Sequence, residues 1–380
     1  MKSADFVVIG GGVVGLSVAF HLARKKAGSV TLLERAPFLG TGSTGKCAGG
    51  VRQQFSTEAN IRVSMESVQF LERFEEETGA PLDFQQNGYL FLLDTPELMR
   101  QFQANVELQR KCGLEVRLLT PREAQAIVPQ LMVDDLLGAT FCASDGLASP
   151  NDLVLGFAQG ARSAGAHIQL ETQATGFEVE NGRIRAVRTN QGDLPTRTVI
   201  NAAGPYARVV AEWAGVDLPV FPVRRHIFTT RPLPFLSTRF PMVVDTSGVY
   251  MHQESGGMLM GLADKSEPYG FNEDVDWDFL ERIIEPAVHR IPDLEQAEIL
   301  TGWAGLYEDS PDHMAVLGPV EAAPGLFLAN GFSGHGLMHA PGAGRIVADA
   351  VLSGRLESGM EAFSFERFRR GKVLAEANVI

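Results

Sequence analysis

Apolar and polar positions follow two periods along this chain, and each change of period marks an element. Asp5-Phe-Val-Val-Ile-Gly10 is a short, almost wholly apolar run, which predicts a strand buried on both faces. Leu16, Ala19, Phe20 and Ala23 then recur at helical spacing, with His21, Arg24, Lys25 and Lys26 on the other faces or near the end. A second apolar run, Val30-Thr-Leu-Leu33, finishes in Glu34. Helical periodicity returns over Asn60–Thr78 (Ile61, Met65, Val68, Leu71, Phe74) and stops at Gly79, with Pro81 beyond. Asn87-Gly-Tyr-Leu-Phe-Leu-Leu93 predicts a strand, and Thr95-Pro-Glu opens a helix that runs to about Cys112 and is capped by Gly113. Thr120-Pro-Arg-Glu123 has capping-box spacing, Asp145-Gly146 signals a turn, and Asn151–Ala164 reads as a helix stopped by Gly165.

Short β runs follow at His167–Leu170, Thr175–Glu180, Ile184–Thr189 and Thr198–Ile200, with Asn181-Gly182 composed as a type I′ hairpin turn. From Pro219 to about Gly261 the chain is β-rich and punctuated by prolines, the texture of an antiparallel sheet. Trp277–Ile291 reads as a helix interrupted at Pro286. Phe327–Asn330 is one more short strand; it breaks into Gly331-Phe-Ser-Gly334-His-Gly336 before a helix over Ala343–Leu352. There is no tandem repeat or low-complexity tract.

The opening stretch carries the clearest chemistry. Between its two strands lies Gly10-Gly-Gly12-Val13-Val14-Gly15, so strand, glycine turn, helix, strand and acid stand in the order of a dinucleotide-binding βαβ unit. Gly10 permits the tight turn, Gly12 lets a pyrophosphate reach the backbone, and Gly15 lets helix and strand pack closely. The helix start offers unpaired N–H groups and a positive dipole end to phosphates. Glu34, 24 residues after Gly10, is placed to accept hydrogen bonds from both ribose hydroxyls of an adenosine, with Arg35 beside it. The next stretch, Gly40 to Gly50, is dense in glycine and small residues. Such a loop lies flat against a ligand because its N–H groups are exposed.

Composition narrows the partners. At 380 residues the chain is long enough for two lobes, and its 45% hydrophobic and 21% charged content is ordinary for a soluble globular protein. A formal net charge of −13 argues against nucleic acid or an anionic membrane surface as a main partner. Arg367, Arg369, Arg370 and Lys372 read as a solvated helix face. Phe6–Phe20 is the longest apolar stretch, but its four glycines and missing cationic leader fit neither a membrane span nor a signal peptide. Three cysteines (Cys47, Cys112, Cys142) without C-x-x-C spacing predict a reducing, cytoplasmic setting and no disulfide framework. Eight scattered histidines predict no metal site.

With these stretches in hand, the chain resembles the D-amino-acid oxidase superfamily of flavoproteins. Within it the resemblance is to sarcosine oxidase β subunits, proline dehydrogenase β subunits and dimethylglycine-type enzymes. The matching pieces are Val8–Gly15, Arg52-Gln-Gln-Phe55, Val199–Pro205, Gly302-Trp-Ala-Gly-Leu-Tyr307 with Ser310-Pro-Asp312, and Gly331–Gly336. The resemblance implies an α/β fold: a discontinuous Rossmann-like FAD-binding lobe (residues 1–84, 145–219 and 301–380) and a second lobe (85–144 and 220–300) whose mostly antiparallel sheet roofs the flavin. It makes Glu34 the adenosine-ribose ligand. Gly42, Ser43, Thr44, Lys46 and Arg52 become candidate contacts to pyrophosphate, ribityl chain or flavin ring. Gly204 is expected near the FAD, and Gly334, His335, Gly336 and Leu337 beside the isoalloxazine. There a helix N-terminus would stabilise the anionic pyrimidine end of a reduced flavin.

Three departures qualify the resemblance. Gly305 stands where some relatives carry a cysteine that tethers FAD, so noncovalent FAD is expected. Leu259 aligns with a lysine that activates dioxygen in monomeric sarcosine oxidases, which favours another electron acceptor, although Lys265 lies nearby. Tyr307 replaces the arginine that D-amino-acid oxidases use for the substrate carboxylate.

The candidate catalytic residues are Tyr250 and His252, which alternate onto one face of a strand, together with Tyr307 and His335. The reading is an FAD-dependent oxidoreductase that oxidises the C–N bond of a small secondary amino acid, of the sarcosine, dimethylglycine or proline kind. The alternatives are a D-amino-acid or glycine oxidase, and a non-catalytic flavoprotein subunit or assembly factor. Dioxygen or another carrier would accept the electrons, with or without a partner subunit. A pyridine-nucleotide disulfide reductase is excluded, because it needs a second nucleotide fingerprint and a redox cysteine pair.

Overall fold

The computed structural model describes residues 3–26, 28–236, 239–371 and 374–378. Lys372 of the basic cluster lies outside them. Two sheets organise the chain. The first is six-stranded, in the order Val316–Pro319, Leu326–Asn330, Val199–Asn201, Phe6–Ile9, Val30–Leu33 and His167–Gln169. All its pairs are parallel except the first, which is antiparallel. Alternation along the strands explains their unbroken apolar runs. Val8, Leu32 and Ile200 point into a core shared with helices Val13–Arg24, Glu58–Leu71, Pro150–Ser163 and Gly336–Ser353. Val7, Ile9, Leu33 and Val199 point the other way, toward a small sheet built on Ala174–Glu180 and Arg183–Thr189 and toward helix Ala207–Glu212.

The second sheet is eight-stranded. Its order is Ile299–Asp309, Phe221–Thr230, Gly257–Leu262, Tyr250–Glu254, Met242–Val244, Tyr89–Leu93, Gly138–Cys142 and Val116–Leu119. It is antiparallel apart from the parallel pairing of Met242–Val244 with Tyr89–Leu93. One face (Leu90, Leu92, Val243, Met251, Met258, Met260) packs under helix Glu281–Arg290. The opposite face carries Tyr89, Phe91, Met242, Tyr250 and Leu259. This face borders the cavities described below.

Local expectations largely hold. Asn181 and Gly182 have φ of 51° and 71°, as a type I′ turn requires, and Thr120 with Glu123 forms the full capping box. Some differ. The single helix expected over Asn60–Thr78 is two, Glu58–Leu71 and Phe74–Thr78, because Arg73 leaves helical geometry. Pro286 lies inside the continuous helix Glu281–Arg290 rather than interrupting it. The final long helix starts at Gly336, where the resemblance puts a helix N-terminus, seven residues before the Ala343 at which the sequence pattern reads as helix, and passes through Pro341. Its glycines are there for close packing: a Cβ on Gly344 would lie 2.1 Å from Ser17 Oγ of the facing helix. Arg367 is not on a solvated face; it is buried and clasps Asp312 at 2.7 and 2.8 Å. No helix among the described residues is long and apolar enough to cross a membrane.

Candidate active site

The parallel strands end in a long cavity of about 430 Å³ that runs across the C-terminal edge of the first sheet. The strand Phe6–Ile9 sits at the point where the sheet order reverses, with sequence-adjacent Val30–Leu33 on one side and Val199–Asn201 on the other. In such sheets ligands bind at that crevice. Gly10 takes φ +116°, and a Cβ there would fall 2.2 Å from the Ala202 carbonyl oxygen, so no other residue makes this turn. Gly15 does not line the cavity; it lies beneath it, where a Cβ would meet the Gly10 oxygen at 2.0 Å. Gly12, Val13 and Val14 line it, and helix Val13–Arg24 begins there with no cap from Gly12 itself. Thr44 takes the Val13 N–H, and the remaining N–H groups of the first turn are offered to the cavity.

The carboxylate of Glu34 is held in place by the N–H groups of Gly11 (2.7 Å) and Ala36 (2.8 Å) and lines the same cavity. Arg35 lies over the Tyr206 ring at 4.0 Å, and Gly204 lines the wall beside it. Gly42, Ser43 and Thr44 form the facing wall; Thr44 Oγ1 accepts the Val13 N–H at 3.2 Å, and Ser43 Oγ donates to the Leu306 carbonyl at 2.6 Å. Lys46 does not line the cavity. Its ammonium pairs at 2.9 Å with Glu273, a residue of the cavity wall. At the far end stand Gly334, Gly336 and Leu337, where helix Gly336–Ser353 begins uncapped and without an acid in its first turn. The glycine cradle, the oriented carboxylate and two open helix N-termini fit the diphosphate, ribose and flavin portions of FAD.

A second cavity, about 60 Å³, adjoins this end. Arg52, Tyr89, Tyr250, Tyr307 and His335 line it, and Tyr307 and Gly334 border both cavities. Arg52 is only 1% exposed. Nη1 donates to the Gln54 carbonyl at 3.0 Å, Nη2 reaches His335 Nε2 at 2.9 Å and the Asn378 carbonyl, and the guanidinium lies 4.1 Å from the Phe55 ring centre. Among the described residues no carboxylate pairs with it. Burial and then the Arg52 charge hold the His335 pKa well below its usual value, so its ring is neutral. Burial raises the pKa of the Tyr89, Tyr250 and Tyr307 phenols, which remain protonated donors, and Tyr250 hydrogen-bonds Tyr307. The balance is a buried guanidinium beside neutral groups, without an ion-pair partner among the described residues, on which the Glu376 carboxylate acts only from beyond contact. Such a site calls for an anion.

His252 is not brought here. It shares the sheet face of Tyr250, but its ring is buried beside Leu259, with Nδ1 against the Gln253 carbonyl at 2.8 Å, and it lines neither cavity. Leu259 packs with Tyr250 in the apolar cluster, and Lys265 is exposed. A Cβ on Gly305 would press to 2.9 Å from Lys46 Cβ. Sequence reasoning missed Tyr89, which the alternation Tyr89, Phe91, Leu93 places on the cavity face. It also missed Glu308 in the long cavity, and Asn378, whose carbonyl meets Arg52. Among the described residues no group of three or more His, Cys, Asp or Glu could hold a metal ion, and all three cysteines are free.

The family described as FAD dependent oxidoreductase (DAO) matches residues 5–350 of this chain. FAD-dependent oxidoreductase domain-containing protein 1 of Xenopus laevis is 32% identical, over 100% of this chain and 85% of that protein. Mitochondrial dimethylglycine dehydrogenase of Rattus norvegicus is 31% identical over 92% of this chain, which spans 43% of that longer protein. Among solved structures, L-proline dehydrogenase from P. horikoshii superposes with a TM-score of 0.91 at 35% identity, covering 98% of this chain and 99% of that one.

Proposed function

The chain belongs to the DAO family of FAD-dependent oxidoreductases, and from that premise we propose that it oxidises the C–N bond of a small secondary amino acid to an imine. Sarcosine, dimethylglycine and proline are the substrate type. The observation that carries this reading is the buried guanidinium of Arg52, without a carboxylate partner among the described residues, beside three protonated phenols and a neutral imidazole. A substrate carboxylate supplies the missing charge.

Noncovalent FAD would be held by Gly10–Val14, Glu34, Arg35 and the Gly42–Thr44 wall, with its flavin end toward Gly334–Leu337, and it would supply the hydride acceptor. The chain's own part is positional. Arg52, with phenol donors from Tyr89, Tyr250 or Tyr307, fixes the carboxylate, so the substrate amine and α-carbon are turned toward the long cavity. Burial of these groups in apolar surroundings favours the neutral amine over the ammonium, the form that can be oxidised. The uncapped N-terminus of helix Gly336–Ser353 is where negative charge on a bound flavin would be stabilised. Leu259 in place of a lysine, with Lys265 exposed, supports an electron acceptor other than dioxygen.

An anaerobic titration of the FAD-loaded protein with sarcosine, dimethylglycine, L-proline and several D-amino acids tests this reading. The expected result is bleaching of the oxidised flavin band by one secondary amine, with slow recovery in air. Fast recovery with peroxide would instead establish an oxidase. Reduction by D-amino acids alone would move the substrate class to D-amino-acid oxidation. No bleaching by any of them, with FAD firmly bound, would favour a non-catalytic or partner-dependent flavoprotein.

A further inference from the structure

Asp145 is a carboxyl group that the reaction outlined above does not use. It is fully buried, lines neither cavity and has no ion-pair partner among the described residues. The two residues that follow Arg52 supply its donors. Oδ1 accepts the Gln53 N–H at 2.8 Å and Gln53 Nε2 at 3.1 Å, and Oδ2 accepts Gln54 Nε2 at 3.0 Å. Burial pushes the carboxyl up to about 6 against the pull of these hydrogen bonds. A buried carboxylate is costly to keep, so what its bonds hold in place matters.

Those bonds lead to Arg52 and to Tyr89, both of which line the small cavity. Gln54 offers its carbonyl to Arg52 Nη1 at 3.0 Å, and its amide nitrogen donates to the Tyr89 carbonyl at 3.1 Å as well as to Asp145. Its amide oxygen accepts from Thr140 Oγ1 at 2.9 Å, so the carboxamide has one orientation that satisfies every partner. A reversed amide would set its oxygen against the Asp145 carboxylate and the Tyr89 carbonyl. The Asp145 carbonyl also accepts the Gly88 N–H at 2.8 Å, which holds the chain just ahead of Tyr89.

We propose that Asp145 is a positioning residue for substrate binding: through Gln53 and Gln54 it fixes Arg52 relative to Tyr89, so that guanidinium and phenol meet one carboxylate together. Donors held at a set separation need no further ordering when the substrate arrives. The carboxylate is suited to this because both its oxygens accept. A neutral amide at position 145 keeps one acceptor for the Gln53 N–H but presents its own NH2 to Gln54 Nε2, donor against donor. The inference rests on Arg52 holding the substrate carboxylate.

Acetate carries a carboxylate and no amine, and the change it causes in the absorption of bound FAD measures its binding to the FAD-loaded protein. The proteins are wild type, D145N, Q54M, R52M, R52K and R52K combined with D145N. D145N is expected to raise the acetate Kd roughly tenfold, the scale of one lost hydrogen-bonding partner. Q54M removes the carboxamide and does the same, which keeps the comparison readable should D145N not fold. In the R52K protein, whose ammonium lacks the planar fork that Gln54 aligns, D145N changes the Kd by less than about twofold. A role in stability alone would not make the two changes non-additive. Equal losses from D145N in both backgrounds overturn the proposal. Unchanged acetate affinity in D145N and Q54M, with weakening in R52M, overturns it too while leaving Arg52 as the carboxylate ligand. R52M binding acetate as wild type does, or wild type binding none, removes that role of Arg52 and the proposal with it.

Discussion

Arg52 Nη2 donates to His335 Nε2 across 2.9 Å in the wall of the small cavity, and this contact fixes the proton on the imidazole. With Nε2 accepting, the ring proton belongs on Nδ1. Protonation of Nε2 would set two cations against each other without water between them, and burial opposes it further. His335 therefore serves the arginine as a neutral acceptor rather than as a base.

Replacing Arg52 by methionine removes the charge but keeps an unbranched apolar stem. The Kd for a secondary amino acid should rise by roughly a hundredfold, about 3 kcal/mol, as expected when a charged hydrogen-bonding partner is lost. FAD content should remain. R52K keeps the charge without the planar fork and should fall between the two. Anaerobic flavin reduction against substrate concentration gives the numbers, and an R52M protein that reduces with wild-type Kd would remove Arg52 from substrate binding.

Tyr307 stands where D-amino-acid oxidases carry arginine, and it touches Tyr250 across the small cavity. Y307F loses one phenol donor while keeping the ring that faces Gly334. Substrate affinity should fall by about tenfold, with the affinity for FAD unchanged. Equal losses in both affinities would instead assign Tyr307 to the cofactor.

The nucleotide turn was legible in the sequence because it rests on backbone constraints that few residues satisfy. Gly10 at φ +116° and the Asn181-Gly182 turn are positions where local chemistry alone decides. The sheet face of Tyr250 was legible from alternation, but alternation reports direction and not depth, so His252 was placed with it although only Tyr250 reaches a cavity. In the apolar pattern, as distinct from the family resemblance, the first two turns of helix Gly336–Ser353 were hidden by glycine and Pro341, whose local preference loses to close packing against Ser17 and Ser67. Arg367 and Asp312 are 55 positions apart, and no local pattern announces a buried pair at that separation. The same holds for Asn378, which meets Arg52 only through the tertiary fold.

That last contact has a consequence for stability. The Glu376 carboxylate accepts from Ser56 N–H (2.8 Å), Ser56 Oγ (2.6 Å), Thr57 Oγ1 (2.8 Å) and Asn60 Nδ2 (3.0 Å), and it anchors the segment that brings Asn378 to Arg52. E376A strands these buried donors and should lower stability by about 3 kcal/mol. It should also weaken substrate binding through the loosened Arg52. Urea unfolding and substrate titration check the two effects separately, and a loss of stability without any change in substrate affinity would show that Arg52 holds its place unaided.

Acid should destabilise this protein through histidines that fold neutral. His339 is 2% exposed, its Nε2 lies 2.9 Å from Ser64 Oγ, and burial, followed by the charge of Arg52, lowers its pKa to about 3. In the unfolded chain the same ring titrates near 6.5. Between those values the unfolded state binds a proton that the folded state refuses, so stability falls as pH drops through that window. The full effect is about 2–3 kcal/mol between pH 6.5 and 4.5, at about 1.4 kcal/mol per unit. His21, also lowered to about 3 by burial and then by Lys25, adds in the same direction. Asp145 and Glu308 work in the opposite sense. Burial raises them to about 6 and about 7, so the folded state holds their protons first and gains stability as pH falls. The total slope mixes these contributions, and a comparison isolates one of them. H339Q keeps a hydrogen-bonding group toward Ser64 but cannot titrate, so its stability should drop by about 2 kcal/mol less than wild type over that pH range. Urea midpoints and slopes measured at both pH values for the two proteins decide it, and parallel losses would show that His339 takes up no proton on unfolding.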